Sequence, residues 1–158
     1  MSDARDVVAV LNNWNVVKNL SVVPFPYIIA DANEYLKKIT TEMKKKDRKN
    51  FVLTIEIDGK VSGAIGIHSI VRGHKAEMGY WLAEPYWGRG IMSEVLKKFV
   101  PLAFKNFSLR RIYAKAYSFN KGSQRVLEKA GFAQEGMEKK GILKNGKFID
   151  AYLYAKVR

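Results

Sequence analysis

The chain of 158 residues has no cysteine and carries 28 lysines and arginines against 15 aspartates and glutamates, a formal net charge of +13. Its length is that of one domain able to bury a core, and the lack of cysteine removes disulfide scaffolds, thiol nucleophiles and zinc–cysteine sites together. The excess of cations attracts polyanions, whether nucleotide cofactors, acidic peptides, RNA or the ribosome. No apolar run approaches a membrane span, and Asp3, Arg5 and Asp6 spoil a signal-peptide pattern. A cytoplasmic protein without membrane association is expected.

In residues 3–14, Val7, Val10, Leu11 and Trp14 share one helical face and predict a first helix. Residues 18–30 read as a loop, because Pro24 and Pro26 stop regular structure around Phe25 and Tyr27. Asp31 followed by Glu34 resembles a capping box, and Ala32, Tyr35, Leu36, Ile39 and Met43 give the next helix its buried stripe. Lys44, Lys45, Lys46, Arg48 and Lys49 close it, where cations complement the dipole. No aromatic residues are interleaved there, as a nucleic-acid stacking platform would require.

Residues 50–57 and 60–71 form a hairpin across Asp58-Gly59, a strong two-residue turn signal. Residues 74–82 return as a third strand, and Gly63, Gly66 and Gly79 point to a bulge or a close ligand approach. From Ile91, the positions Met92, Val95, Leu96, Phe99 and Ala103 define a one-sided helix to residue 107, which Pro101 should kink. Before it, Gly88-Arg89-Gly90 is a turn with almost no side-chain bulk. The free amides of the following first turn, together with the positive end of the helix dipole, make an anion site. It is not a Walker loop, since the Gly-Lys-Ser/Thr ending is missing. A dinucleotide fingerprint would need glycine at Ser93 and an acidic residue closing the strand at 111–117.

Asn120 then opens a short helix with Ser123, Val126, Leu127 and Ala130 on one face and Gly131 as its C-terminal cap. Strands at 132–136 and 147–157 close the chain around Asn145-Gly146. Strands and helices in this order, with one crossover helix between the central strands, predict a single α+β (α/β three-layer) domain over residues 1–158.

Three stretches, GYWL at 79–82, YWGRGIMSEVLK at 86–97 and NKGSQRVLEKAGF at 120–132, together resemble the GCN5-related N-acetyltransferase (GNAT) family, in particular its RimJ/RimL-like branch of ribosomal-protein N-terminal acetyltransferases. The resemblance implies a mixed, mostly antiparallel central sheet flanked by helices, with the family's first strand missing here. An edge left uncovered in this way invites pairing with another chain, so a monomer or a homodimer is expected. It further implies acetyl-CoA as cosubstrate and no metal. The amides from Gly88 through Arg89, Gly90, Ile91 and Met92 to Ser93 would hold its pyrophosphate. Trp87 departs from the Gln/Arg of the family loop, a missing cation that Arg89 can replace, and Met92 narrows the loop. Tyr80, Trp81 and Leu82 would pair with pantetheine beside a strand bulge, and Asn120, Ser123 and Arg125 complete the cofactor set.

The family transfers the acetyl group by direct attack of an amine, so catalysis is positioning plus removal of one proton. Glu77 is the expected proton acceptor. Ser123 is the expected partner of the leaving sulfur, because the slot that holds tyrosine in many members is Leu127. The glutamate considered as base in the RimL-like branch falls, by ungapped count, at Ile142, which leaves Glu77, Glu138 and Asp150 as carboxylates to test. Phe25, Tyr27 and Tyr35 are the expected acceptor contacts. His68 and His74 read as incidental and too few for a metal site. The expected activity is acetyl transfer to a primary amine, the N-terminal α-amino group of a ribosomal protein, with possible ribosome association. The alternatives are a small-amine acetyltransferase acting on a polyamine or aminoglycoside, and a non-catalytic CoA- or RNA-binding module.

Overall fold

A computed structural model describes residues 2–158. The chain runs through α1 (Ser2–Leu11), α2 (Trp14–Val17), α3 (Ile29–Met43), β1 (Phe51–Ile57), β2 (Lys60–Val71) and β3 (Lys75–Leu82). A 3-10 turn (Glu84–Tyr86), α4 (Ile91–Phe107), β4 (Arg111–Tyr117), α5 (Lys121–Lys129), β5 (Ala133–Lys144) and β6 (Lys147–Val157) follow. The strands form one sheet in the order β1-β2-β3-β4-β6-β5, antiparallel throughout except between β3 and β4. No helix among the described residues is long and apolar enough to cross a membrane.

Alternation of side chains along the strands gives the sheet two cores. On one face Ile65, Ile67, Met78 and Ile112 pack against Leu96, Phe99 and Ala103 of α4 and Leu127 of α5. On the other, Val7 and Leu11 of α1, Val16 and Val17 of α2 and Ala32 of α3 form a second cluster with Tyr27, against which Trp81 of β3 packs. The three-layer α+β expectation holds. Both predicted hairpin turns form: Asp58-Gly59 and Asn145-Gly146 all have positive φ, which suits the right-handed twist of the strands they join. Gly131 (φ 79°) ends α5 as expected, with Phe132 N–H donating to Leu127 O at 3.0 Å.

Several local expectations are corrected. The first helix stops at Leu11, and Trp14 opens α2 with 45% of its surface exposed, its ring tilted against Phe25 with centroids 5.3 Å apart. The cause is Asn13, whose side chain accepts from Asn15 N–H at 2.9 Å and so competes with helix continuation. Asp31 lies inside α3, where its carboxylate accepts from Ile28 N–H at 2.9 Å. It thus plays the third-position part of a capping box and not the first. The β3 register against β2 runs without a shift from Leu82 opposite Gly63 to Glu77 opposite His68, so no bulge lies at Gly79. Irregularities fall instead between Ile55 and Glu56 and between His68 and Val71. Finally, β5 extends to Lys144, eight residues beyond the predicted strand end.

Candidate active site

Only three residue pairs join the two parallel strands: Lys75 with Arg111, Ala76 with Ile112 and Glu77 with Tyr113. Beyond them β3 and β4 part. Met78 to Leu82 on one side and Ala114 to Tyr117 on the other line a cavity of about 820 Å³. The divergence leaves backbone groups of β3 without a strand partner. Ala83 N–H donates to Ser62 O at 2.8 Å, which fixes the alternation, so the peptide groups of Tyr80 and Leu82 point away from β2 and into the gap. The Leu82 carbonyl is taken by the Trp87 indole N–H at 2.8 Å. Trp87 therefore anchors the turn to β3, a role that its departure from the family loop pattern did not disclose.

The turn leads straight into α4. Gly88 and Gly90 have φ of 74° and 76°, left-handed values that favour glycine. Gly90 precedes the helix without a side-chain cap, and the first helical bond seen there is Glu94 N–H to Gly90 O at 3.1 Å. The amides before Glu94 are thus free to receive an anion. Met92 is buried in the core and also borders the cavity. Arg89 stacks over the Tyr86 ring at 5.5 Å and borders a smaller adjoining recess with Ser93, Lys97 and Lys129. Of the residues expected to hold the cofactor, all but Arg89 line the large cavity, including Asn120, Ser123 and Arg125. Asn120 caps α5 by accepting from Ser123 N–H at 3.1 Å.

Acid and base candidates fall on opposite faces of the sheet. Tyr80, on the α4–α5 face, brings its hydroxyl to 2.7 Å from Ser123 Oγ and donates to Ser123 O at 3.3 Å. Burial pushes the Tyr80 phenol up to about 12, so it keeps its proton at any working pH. Leu127, the slot for tyrosine in other members, is fully buried core. Glu77, on the α1–α3 face, borders the cavity with Tyr113 Oη at 3.5 Å. The competing carboxylates are engaged elsewhere: Glu138 pairs with Lys115 at 2.8 Å, and Asp150 accepts from Lys140 N–H at 2.7 Å.

The aromatic residues assigned to the acceptor are not cavity walls. Tyr27 is 4% exposed in the second core, Tyr35 packs on the same cluster, and Phe25 lies on the surface against Trp14. The α1–α3 side of the cavity is lined instead by Val16, Lys18, Asn19, Leu20, Ser21 and Ile142. No periodic pattern marks these positions, because they come from the end of α2, a loop and a strand that only the tertiary fold brings together.

A gap between parallel strands, opening onto an uncapped helix start behind two left-handed glycines, fits an amide-bearing arm ending in a diphosphate, as the resemblance to acyl-CoA transferases implies. The chain belongs to the GNAT acetyltransferases: residues 1–133 match the model of the acetyltransferase (GNAT) domain. It is similar to the probable N-acetyltransferase YjcK of Bacillus subtilis, 32% identical over 131 residues that cover 82% of this chain and 72% of that protein. Against the ribosomal-protein-serine acetyltransferase of Escherichia coli it is 35% identical over 82 residues, 52% of this chain and 46% of that one. Its fold matches RimL, the ribosomal L7/L12 alpha-N-protein acetyltransferase solved with coenzyme A, with a TM-score of 0.87 and 21% identity over 99% of this chain and 87% of that one. The protein is an acetyl-CoA-dependent acyltransferase.

Proposed function

We propose that the acceptor is the α-amino group of a protein N-terminus, a ribosomal protein being the leading case, and that the enzyme works in the cytoplasm. The observation that carries this reading is the charge of the cavity wall. Among the described residues, the acceptor side carries Lys18 and Lys115, the latter paired with Glu138, with Glu77 as the one lining carboxylate, while Lys121, Arg125 and Lys129 of α5 stand on the cofactor side. A polyamine or aminoglycoside needs several carboxylates to replace its hydration, whereas an N-terminus brings a single ammonium and is compatible with acidic residues following it. The name of the Escherichia coli relative agrees with such an acceptor.

The chain's residues divide the work between the two faces. Amides from Gly88 to Ser93 hold the diphosphate, the free peptide groups at Tyr80 align the arm, and the bound thioester supplies the acyl carbon. The ammonium proton leaves on the α1–α3 face, where Glu77 stands, directly or through water. Ser123, hydrogen-bonded to Tyr80, meets the departing sulfur on the other. Preorganised donors of this kind act by positioning and by charge stabilisation.

Thiol release from acetyl-CoA, measured against a panel of N-terminal peptides, spermidine and an aminoglycoside, tests the acceptor. Turnover confined to peptides is the expected result. Faster turnover of spermidine would replace the acceptor, and CoA binding without turnover of any amine would leave a non-catalytic module.

A further inference from the structure

His68 sits on β2 directly opposite Glu77 of β3. Side chains of directly opposed residues in an antiparallel pair project from the same face, so the imidazole and the carboxylate both stand on the α1–α3 side. The next position of β3 on that face is Gly79, which borders the cavity. With no side chain there, the ring leans over it: a Cβ built on Gly79 would lie 3.8 Å from His68 Nε2. The other ring nitrogen is committed, since Nδ1 lies 3.1 Å from Asn50 Oδ1. A carbonyl oxygen only accepts, so the neutral ring carries its proton on Nδ1 and keeps the Nε2 lone pair free.

We infer that His68, which stands behind the cavity wall at Gly79, is the group that takes the proton from the acceptor ammonium, through Nε2 and by way of one water, with the Glu77 carboxylate facing the imidazolium that forms. The inference rests on the amine-transfer reading and deepens it. Nε2 gains one proton while Nδ1 keeps its own. The freed amine lone pair forms the C–N bond and the C–S bond breaks; the sulfur takes a proton from the Ser123–Tyr80 hydroxyl pair, which regains one from solvent, and the nitrogen gives its second proton to solvent as the amide forms. The imidazolium then returns its proton to solvent. An imidazole suits the task because its ordinary pKa of about 6.5 lies far closer to that of an α-amino group, about 7.7 to 8, than a carboxylate's does.

The groups facing His68 set its titration. Burial lowers its pKa, Glu77 on β3 raises it, and Lys38 on α3 lowers it again. The ring is therefore neutral, and able to accept, above a pKa that lies below the usual 6.5. Transfer should rise with pH through that value.

The test combines pH profiles with the state of the ring. His68→Gln is expected to lower kcat for a peptide acceptor about a hundredfold, the lower range for removal of a general base, and to abolish the acidic limb while CoA affinity and Tm hold. Glu77→Gln should move the limb to lower pH and Lys38→Gln to higher pH. An unchanged limb in His68→Gln would overturn the inference, and so would nitrogen NMR of the wild type placing the neutral-ring proton on Nε2. The NMR result stands apart from turnover. A ring protonated on Nδ1 in a protein that binds CoA but acetylates no amine would sink the amine-transfer reading itself, and this inference with it.

Discussion

At Gly90 two costs of substitution can be separated. Its φ of 76° penalises any residue with a Cβ, yet nothing lies within 4 Å of the place a Cβ would occupy. A clash is therefore not the issue. Asparagine tolerates the left-handed region better than most residues, so Gly90→Asn should keep most of the CoA affinity. Gly90→Asp has nearly the same shape but sets a carboxylate against the diphosphate, and breaking one charge-assisted amide hydrogen bond costs roughly 1.5 to 3 kcal/mol. Calorimetric titration should find Asp at least tenfold weaker than Asn, and equal affinities would remove the turn as the anion site. The glycines were legible because the φ they serve forbids most other residues. The Tyr80 hydroxyl was not: it meets Ser123, 43 residues away, and nothing in the local pattern of β3 says which side chain of α5 stands across the gap. His68 left even less trace, since its meaning comes from Gly79 being bare beside it.

Among elements, those with strong local signals were read well and those held by distant partners were not. The stripes of α3, α4 and α5 and the turns at Asp58-Gly59 and Asn145-Gly146 follow from periodicity and turn chemistry. The second half of β5 was missed because the pairing is interrupted between Glu138 and Ile142. There Lys140 takes φ of 54°, and Asp150 on β6 receives its N–H. Past that bulge, Lys144 is 8% exposed and its ammonium donates to Val17 O at 2.6 Å and to Leu20 O. A single side chain thus ties β5 to the end of α2, the segment that walls the acceptor side. Lys144→Met keeps the length of the stem but removes the ammonium from both carbonyls, leaving Val17 O with the Leu20 N–H at 3.0 Å as its donor, a penalty on the order of 2 kcal/mol. Urea unfolding should show that penalty, and the acceptor KM should rise with acetyl-CoA affinity unchanged. A rise in both constants would mean that the clamp supports the whole cavity and not one wall.

For the molecule as a whole, the charge of +13 acts on encounter before it acts on any contact. A surface of net positive charge draws anions and repels cations over about a Debye length, roughly 10 Å at 0.1 M salt. At the strand gap Lys121, Arg125 and Lys129 stand on the cofactor side, which leaves the acceptor side with Lys18, the Glu138-paired Lys115 and one lining carboxylate, Glu77, among the described residues. Two acceptors with the same first residue but acidic or basic residues after it should therefore respond in opposite ways to ionic strength. For the acidic peptide, kcat/KM should fall as salt rises from about 20 to about 300 mM, about tenfold or more if encounter limits the reaction. For the basic peptide, and for spermidine, added salt should relieve repulsion and kcat/KM should climb. Binding of acetyl-CoA, itself a polyanion, weakens with salt in every case, so the measurement is made at saturating acetyl-CoA to isolate the acceptor. If the two peptides track one another across the range, the net charge of the surface has no part in choosing the acceptor, and the preference must come from shape at the walls formed by Leu20, Ser21 and Ile142.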